Sequence, residues 1–221
     1  MILPVPGTAT RFDAVRRSGA AVTVCVTVFN YRRHVSQALD SLLDQTLDLF
    51  DLVVVEDCST DDSLHVVLEW LSAHAGRFGR ARLLQHGRNA GLSAARNTGF
   101  AASETEFVFV LDADNALYPR CLSRCAEVVG AGGAFAFPII EVFGSRAGLI
   151  GTEPWDPERL KQGNYIDAMA LIRRTAWLEA GGYDPMGGLG WEDYDLWCRF
   201  AELGLRGVHV AEILARYRVH D

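Results

Sequence analysis

The chain has 221 residues, of which 49% are hydrophobic, and its formal net charge is −7. This length supports one large α/β domain or two small ones, and the acidic balance argues against a nucleic-acid partner held by a basic surface. The apolar runs are the size of strands, which argues against a transmembrane segment but leaves peripheral membrane contact open.

Residues 1–20 contain no apolar core after a basic start, so they do not resemble a secretion signal, and we expect a loose N-terminal arm. The five cysteines have no paired Cys-x-x-Cys spacing. This favours a reducing, cytoplasmic compartment over a disulfide framework or a zinc site. Cys121 and Cys125 lie one helical turn apart, and we expect both to pack in the core.

From residue 22 onward, β-branched or apolar runs alternate with segments whose apolar residues have helical spacing. The runs predict strands at 22–28, 52–55, 82–85 and 107–111, and the segments between them predict helices at 35–43, 64–71 and 92–102. Strand–helix alternation with short connections predicts a mainly parallel sheet with helices on both faces. The fold class is therefore α/β.

The second half of the chain is less regular. Its patterns predict helices at 119–129, 175–180 and 196–203, one or two strands within 134–142 interrupted by Pro138, and further strands at 169–172, 208–210 and 216–219. The segment 144–163 is rich in glycine, proline and charge. We expect it to be a surface excursion, either a loop that contacts a ligand or a long connection.

Two carboxylates, Asp112 and Asp114, directly follow the apolar run 107–111, and Asp57 follows the run 52–55. Because the carboxyl ends of parallel strands share one edge of a sheet, these acids are expected to face a common crevice. Neighbouring carboxylates stay ionised when a cation faces them, and oxygen ligands suit Mg²⁺ or Mn²⁺ beside a phosphate-bearing ligand. A solvated turn after a strand is the alternative.

A second acidic cluster, Glu192, Asp193 and Asp195, follows the glycine-rich stretch 187–190. Acids are favoured at the first turn of a helix, where unpaired N–H groups meet them, and this alone could explain Glu192 and Asp193. The functional alternative is a carboxylate that accepts a proton from a substrate and is carried by a flexible hinge. We expect Asp195 to be structural, either as a cap or in an ion pair.

The motifs occur in a characteristic order, which we quote as sequence letters: VCVTVFN at 24–30, VVVEDCSTDDS at 53–63, NAGLSAARN at 89–97, LDAD at 111–114, GGYD at 181–184 and WEDYDL at 191–196. In this order and spacing, the chain resembles the family 2 glycosyltransferases of the GT-A fold from about residue 21 to its end. The resemblance implies a single GT-A domain over 21–221. Residues 21–118 would form its nucleotide-sugar-binding half and residues 119–221 its acceptor-binding half.

The resemblance also implies an inverting enzyme of the hexosyltransferase type, a nucleotide-diphosphate-sugar donor, most often a UDP-sugar, and a Mn²⁺ or Mg²⁺ ion. On the donor side, Asp57 matches the acid that accepts a hydrogen bond from the base. Phe29 and Asn30 match the turn that walls the base pocket, and Arg96 matches a basic residue near the nucleotide. Position 58 departs from the family, since it is cysteine where relatives often carry glycine or asparagine.

At the reacting centre, Asp112 matches the acid that faces the ribose or donor sugar, and Asp114 matches the metal ligand, with Asp112 a further candidate ligand. His220 matches a histidine that helps to hold the metal in some relatives, although an ordinary surface histidine is an equal alternative. Asp193 matches the general base and Glu192 a residue that touches the acceptor or the donor sugar. The implied reaction is a single in-line displacement in which Asp193 removes the proton of the acceptor hydroxyl.

The acceptor could be a polysaccharide end, a lipid-linked sugar or a small metabolite. Three other functions are compatible with parts of the pattern: a Mg²⁺-dependent phosphoryl-transfer hydrolase, a nucleotidyltransferase, and a non-catalytic sugar-nucleotide-binding module of a larger enzyme. The hydrolase is disfavoured because at least three strands precede the Asp-x-Asp pair and the only lysine is Lys161. The nucleotidyltransferase would need a glycine-rich loop after the first strand, and residues 29–33 contain no glycine.

Overall fold

The computed structural model describes residues 5, 7–130, 132–185 and 190–220. Its strands are β1 (Ala9–Val15), β2 (Val22–Val28), β3 (Asp51–Glu56), β4 (Arg80–Gln85), β5 (Phe107–Asp112), β6 (Ala116–Leu117), β7 (Phe135–Gly144), β8 (Gly148–Ile150), β9 (Leu171–Arg173) and β10 (Gly207–Val219). Its helices are α1 (Val35–Leu43), α2 (Ser63–His74), α3 (Leu92–Ala102), α4 (Cys121–Val129), α5 (Pro157–Leu160), α6 (Arg174–Glu179) and α7 (Glu192–Glu202).

The described strands form one sheet in the order β1-β4-β3-β2-β5-β9-β7-β10-β6, and β8 pairs with β7. Strands β4, β3, β2 and β5 are mutually parallel because α1, α2 and α3 return the chain to the same end of the sheet. Strands β7 and β10 form a second parallel pair, and the short β9 joins the two groups by antiparallel pairing. Most paired residues lie in parallel ladders, so the predicted α/β class with a mainly parallel sheet is confirmed.

Helices cover both faces of the sheet, and every residue of β2 is buried. Since successive side chains of a strand point to opposite faces, Val24 and Val26 belong to one apolar cluster while Cys25 belongs to the other. The first cluster contains buried residues of α1, α2 and α4, including Cys121 and Cys125, which pack in the core as predicted. The second contains the aromatic residues of α3, α6 and α7.

The N-terminal segment differs from its prediction. Residues 9–15 form β1, which pairs antiparallel with β4 at the edge of the sheet, so the expectation of a loose arm is wrong for these residues. The alternating exposure of β1 is typical of an edge strand. An ion pair between Arg80 and Asp13 at 2.7 Å adds to the pairing, and its hydrogen bond lowers the pKa of Asp13.

The second half is more continuous than its sequence pattern suggests. Strand β7 runs through Pro138, and the two predicted closing strands are one strand, β10. The register between β7 and β10 is irregular just after Val210, the partner of Pro138, which accommodates the missing N–H of proline. The excursion 144–163 contains β8 and the short helix α5, so part of it is ordered by pairing with β7.

Candidate active site

A cleft of about 410 Å³ opens at the carboxyl edge of the parallel strands. We call it the edge cleft. The residues that line it come from the ends of β2, β3 and β5, the start of α3, and β10; they include Phe29, Asp57, Asp112, Asp114 and Tyr217. The structure therefore brings together the carboxylates that follow β3 and β5, as the strand pattern predicted.

Asp57 lies on the wall of the edge cleft with only 4% of its side chain exposed. Its Oδ1 accepts hydrogen bonds from His86 Nδ1 at 2.6 Å and from the backbone N–H of Ala90 at 2.8 Å. Its Oδ2 accepts one from the N–H of Gly91 at 2.8 Å. These donors compensate the buried charge and fix the carboxylate in one orientation. His86 belongs to no motif, and its position directly after β4, at the same edge of the sheet, is the sequence signal that marks it.

Phe29 and Asn30 form the turn after β2, but they differ in position. The Phe29 side chain is 40% exposed and lines the edge cleft. Asn30 is not included among the described residues that line this cleft; its Oδ1 accepts the backbone N–H of Thr60 at 2.8 Å and so joins the turns after β2 and β3. Asn30 and Cys58 both have φ of +60°. Asparagine and glycine adopt this conformation most readily, so Cys58 occupies a backbone position that suits those two residues better than cysteine.

Arg96 lies behind the edge cleft and is only 2% exposed. Its Nη2 donates to both carboxylate oxygens of Asp112, at 3.0 and 3.2 Å, and its Nη1 donates to Glu192 Oε1 at 2.6 Å. Burial alone would lower the pKa of Arg96, but the negative charges around it raise the pKa above its ordinary value. The guanidinium is thus held between β5 and α7, and Glu192, itself buried, faces Arg96.

Asp114 lines the edge cleft, and its Oδ2 accepts a hydrogen bond from His220 Nε2 at 2.7 Å. Two further side chains surround this pair. Burial, followed by the charge of Asp114, raises the pKa of Tyr31 to about 12. The ring of His34 lies 5.3 Å from that of His220, and burial with nearby positive charges lowers the pKa of His34.

A metal site was predicted from Asp112, Asp114 and His220. Within the described residues, no three histidine, cysteine, aspartate or glutamate side chains form a group that could hold a metal ion. The three-ligand set is not assembled because Asp112 turns to Arg96. Asp114 and His220 do lie side by side, and sites for Mg²⁺ commonly use one or two carboxylates together with the phosphates of a substrate. These two residues therefore fit a cation that is held jointly with a phosphate ligand.

Asp193 lies in the first turn of α7 and is partly buried. Its Oδ2 accepts a hydrogen bond from Asn164 Nδ2 at 3.2 Å, and its Oδ1 accepts the backbone N–H of Tyr194 at 2.7 Å. Burial raises the pKa of Asp193 to about 6, although Arg96 opposes the increase. At neutral pH the carboxylate is ionised and close to the pKa that suits a general base.

Asp193 does not itself line the edge cleft among the described residues, but its charge reaches the cleft wall. The pKa of Tyr217 is raised first by burial and then by four carboxylates, those of Asp167, Asp112, Asp114 and Asp193. Asp167 is a further carboxylate of this region, and burial followed by the charge of Asp193 raises its pKa to about 7. No local motif marks Asp167 or Tyr217, because the fold brings them together from distant segments.

Two predictions concern the residues at and just before the start of α7. Asp195 forms an ion pair with Arg199 at 2.5 Å, so its predicted structural role is confirmed. The predicted glycine hinge at 187–190 lies outside the described residues except for Gly190, whose φ is +70°.

The family model described as glycosyl transferase family 2 matches residues 23–177. The chain belongs to this family. The match covers β2 to the middle of α6, and hence the strands that carry Asp57, Asp112 and Asp114. The chain is accordingly a glycosyltransferase, which sets aside the phosphoryl-transfer hydrolase and the nucleotidyltransferase.

This glycosyltransferase is similar in sequence to several bacterial proteins. EpsE of Bacillus subtilis (strain 168), which carries a glycosyltransferase name, is 26% identical over 212 residues, covering 91% of this chain and 74% of EpsE. ExoO of Rhizobium meliloti (strain 1021), named as a succinoglycan biosynthesis protein, is 34% identical over 113 residues, covering 51% of this chain and 31% of ExoO.

Solved structures share its fold. TarS of S. aureus in complex with UDP-GlcNAc superimposes with a TM-score of 0.76 at 18% identity, covering 90% of this chain and 59% of the TarS chain. The mannosyltransferase PcManGT of Pyrobaculum calidifontis, in complex with GDP-Man and Mn²⁺, gives a TM-score of 0.70 at 18% identity, covering 98% of this chain and 59% of that chain. The predicted GT-A fold is confirmed, and the chain spans about three fifths of these structures. Among the described residues, no helix has the length and apolar character needed to cross a bilayer.

Proposed function

We propose that this glycosyltransferase moves a sugar from a nucleotide-diphosphate donor, a UDP-sugar, to an acceptor hydroxyl with inversion at the anomeric carbon. The observation that carries the proposal is the convergence of Asp57, Asp112 and Asp114, from the ends of β3 and β5, on one cleft. Its volume of about 410 Å³ is within the range of pockets that take small molecules and cofactors.

The proposed donor enters with its base between Phe29 and Asp57. The exposed ring of Phe29 offers an apolar face to a planar base, and Asp57 Oδ2, which accepts only Gly91 N–H among the described contacts, retains acceptor capacity for a base N–H. The N3–H of uracil would donate to this oxygen, which supports a UDP donor; the N1–H of guanine offers the same donor, so the donor screen includes GDP-mannose. The complexes of TarS with UDP-GlcNAc and of PcManGT with GDP-Man support a sugar-nucleotide donor.

Asp114 and His220 would hold the divalent cation, Mn²⁺ or Mg²⁺, together with the donor phosphates. When bound, such a cation offsets the negative charge that develops on the departing diphosphate. Asp112 contributes a further carboxylate to the cleft, but its ion pair with Arg96 assigns it to orientation of the site and contact with the donor sugar or ribose. The Mn²⁺ in the PcManGT complex supports this cation class.

Asp193 is the proposed general base. As the acceptor oxygen attacks the anomeric carbon, its proton passes to the Asp193 carboxylate, and the carbon–diphosphate bond breaks on the opposite face. The two ion pairs that Arg96 forms, with Asp112 and with Glu192, fix the start of α7 relative to the edge cleft. A single attack from the face opposite the diphosphate inverts the configuration of the anomeric carbon. No protein nucleophile takes part in such a displacement. ExoO, named for succinoglycan biosynthesis, supports a saccharide acceptor.

The test is the release of nucleotide and the transfer of sugar from UDP-glucose, UDP-galactose, UDP-GlcNAc and GDP-mannose to oligosaccharide acceptors with Mn²⁺. Asp193→Asn is expected to lower transfer at least ~100-fold, because a general base contributes about 10² or more, while calorimetry gives unchanged donor binding. The wild-type rate is expected to fall as the pH drops below about 6, where Asp193 becomes protonated.

Asp195→Asn is the matched control, since it neutralises an acid of the same helical turn whose partner is Arg199, and its rate should stay within about twofold of wild type. Asp114→Ala is expected to remove the Mn²⁺-dependent part of donor binding. Near wild-type transfer by Asp193→Asn would contradict the assigned base. Donor binding without transfer by the wild-type chain would instead favour the non-catalytic module.

A further inference from the structure

The amide of Asn164 contacts the Asp193 carboxylate from a segment that the family motifs do not include. Asn164 lies between α5 and β9, and its Nδ2 donates to Asp193 Oδ2 at 3.2 Å. Its Oδ1 accepts the backbone N–H of Ile166 at 3.2 Å. Both polar groups of this side-chain amide therefore form hydrogen bonds: the oxygen closes a turn with Ile166, and the nitrogen binds Asp193 on α7.

The orientation of this amide is fixed by chemistry. If the amide were rotated by 180°, its NH₂ group would face the N–H of Ile166, and its oxygen would face the carboxylate of Asp193. The first arrangement puts two donors together and the second puts two acceptors together, so both hydrogen bonds would be lost. Asn164 thus presents a neutral donor to Asp193 in a single arrangement.

The segment that carries Asn164 is itself tied to α7 on either side of this contact. The Oη of Tyr194 donates to the carbonyl oxygen of Leu160. The Nε1 of Trp197 donates to the carbonyl oxygen of Ile166 at 3.1 Å, and this bond is buried. Contacts at three positions along α7 hold the segment against the helix, so Asn164 cannot move away from Asp193 independently.

We propose that Asn164 is a positioning residue for the transfer reaction: it holds the Asp193 carboxylate in one rotamer and stabilises its negative charge beside the acceptor. The proposal deepens the proposed function and rests on Asp193 as the base. Among the described residues, each carboxylate oxygen of Asp193 has one donor, and a carboxylate oxygen accepts about two hydrogen bonds. One acceptor position on each oxygen therefore remains for the hydroxyl that is to be deprotonated.

The first experiment measures the ionisation of Asp193 directly, without any substrate. The full chain, labelled with ¹³C at the aspartate carboxyl groups, is titrated by NMR, and the Asp193 signal is assigned by its loss in Asp193→Asn. In Asn164→Ala, the apparent pKa of Asp193 should rise by about one unit, the shift expected from loss of one hydrogen bond to a charged group. Asn164→Asp keeps the acceptor for Ile166 N–H and adds a like charge, so the shift should be larger still.

The second experiment separates orientation from charge by measuring transfer at an alkaline pH. At about pH 8.5, Asp193 is ionised in wild type and in Asn164→Ala, and a loss of orientation should still lower kcat about tenfold while the donor KM is unchanged. Asn164→Gln, which keeps an amide donor, should recover part of this loss. Gln162→Ala removes an exposed amide from the same segment and should leave the titration and the rate unchanged.

Coincident titrations of Asp193 in wild type, Asn164→Ala and Asn164→Asp would overturn the role in charge stabilisation. An unchanged kcat of Asn164→Ala at pH 8.5 would overturn the role in orientation. If Asp193→Asn still transfers sugar, the assignment of the base fails, and this is distinguishable because the titration does not depend on any donor. Since Asn164→Asp preserves the turn at Ile166, it keeps the test valid even where the alanine variant is unstable.

Discussion

The ion pairs of Arg96 provide a quantitative test of how α3 and β5 are held to α7. Substitution Arg96→Met keeps most of the volume and apolar stem but removes the charge that faces Glu192, whose side chain is 9% exposed. Removing one partner of a buried ion pair costs about 3–5 kcal/mol, because the other charge is left without compensation. A natural domain has a free energy of unfolding of about 5–15 kcal/mol, so this single change is expected to remove a large part of it.

The measurement is urea-induced unfolding followed by tryptophan fluorescence, since Trp177 and Trp197 are buried in the same cluster as α7. Arg17→Met is the matched control: it removes the same side chain from a pair with Asp48 in which 46% and 86% of the side chains are exposed. Exposed pairs contribute at most about 1 kcal/mol.

The double variant Arg96→Met/Glu192→Gln removes the unpaired charge and should recover about 1–2 kcal/mol of the loss. An Arg96→Met variant destabilised no more than Arg17→Met would contradict a stabilising role of the buried ion pair. Strictly additive effects of the two substitutions in the double variant would also refute it.

Two further predictions concern packing and pH. A Cβ at Gly99 would lie 2.1 Å from Cys25 Sγ, so Gly99→Ala should lower the free energy of unfolding by about 1–3 kcal/mol. In urea unfolding, the double variant Gly99→Ala/Cys25→Ala should recover part of this loss. Additive effects of the two substitutions would contradict the close approach. The pKa of Asp167 is raised to about 7, above its unfolded value, so the stability that its protonated form contributes is present at low pH and is lost as the pH rises toward 7. Asp167→Asn should therefore be more stable than wild type by about 2 kcal/mol at pH 8, after discounting for partial exposure, with a smaller difference at pH 5; a constant difference would contradict the assignment.

The parallel part of the fold was predictable because its signals are local. A run such as 107–111 is apolar at every position, which marks a strand covered on both faces, and β5 is buried as expected up to Asp112. The same regularity predicts Asp57 and Asp112 at one edge of the sheet, where both line the edge cleft. Helices between the strands leave few alternatives, because crossover connections return each strand to the same direction.

The partners of the site residues were not predictable in this way. Arg96 and Glu192 are separated by 96 positions in the chain, and nothing in either motif reveals that the two side chains meet. The sequence supported Arg96 as a nucleotide contact, whereas its burial between Asp112 and Glu192 supports an orienting role. His86 and Asn164 were missed for a related reason: single polar residues in connecting segments carry no periodic pattern.

Strand β1 was missed because its signal is weak on its own. Its residues alternate in exposure and include Arg11 and Asp13, a composition equally compatible with a flexible arm. Only the presence of an open edge at β4 makes this segment a strand, and that edge exists only after the long-range pairing of β4 with β3.

The position of β1 also bears on how separate copies of this protein behave toward each other. The backbone groups on one side of β4 are saturated by residues 9–15; without them, that side would offer free N–H and C=O groups to any extended chain nearby, including another copy of itself. Strand β1 then forms the open edge of the sheet itself, and its exposed charged residues Arg11 and Asp13 disfavour edge-to-edge pairing with another chain. A chain shortened to begin at residue 16 is expected to expose β4 as the edge of the sheet and to aggregate more readily, although the proposed site residues Asp57, Asp112, Asp114 and Asp193 would all be retained.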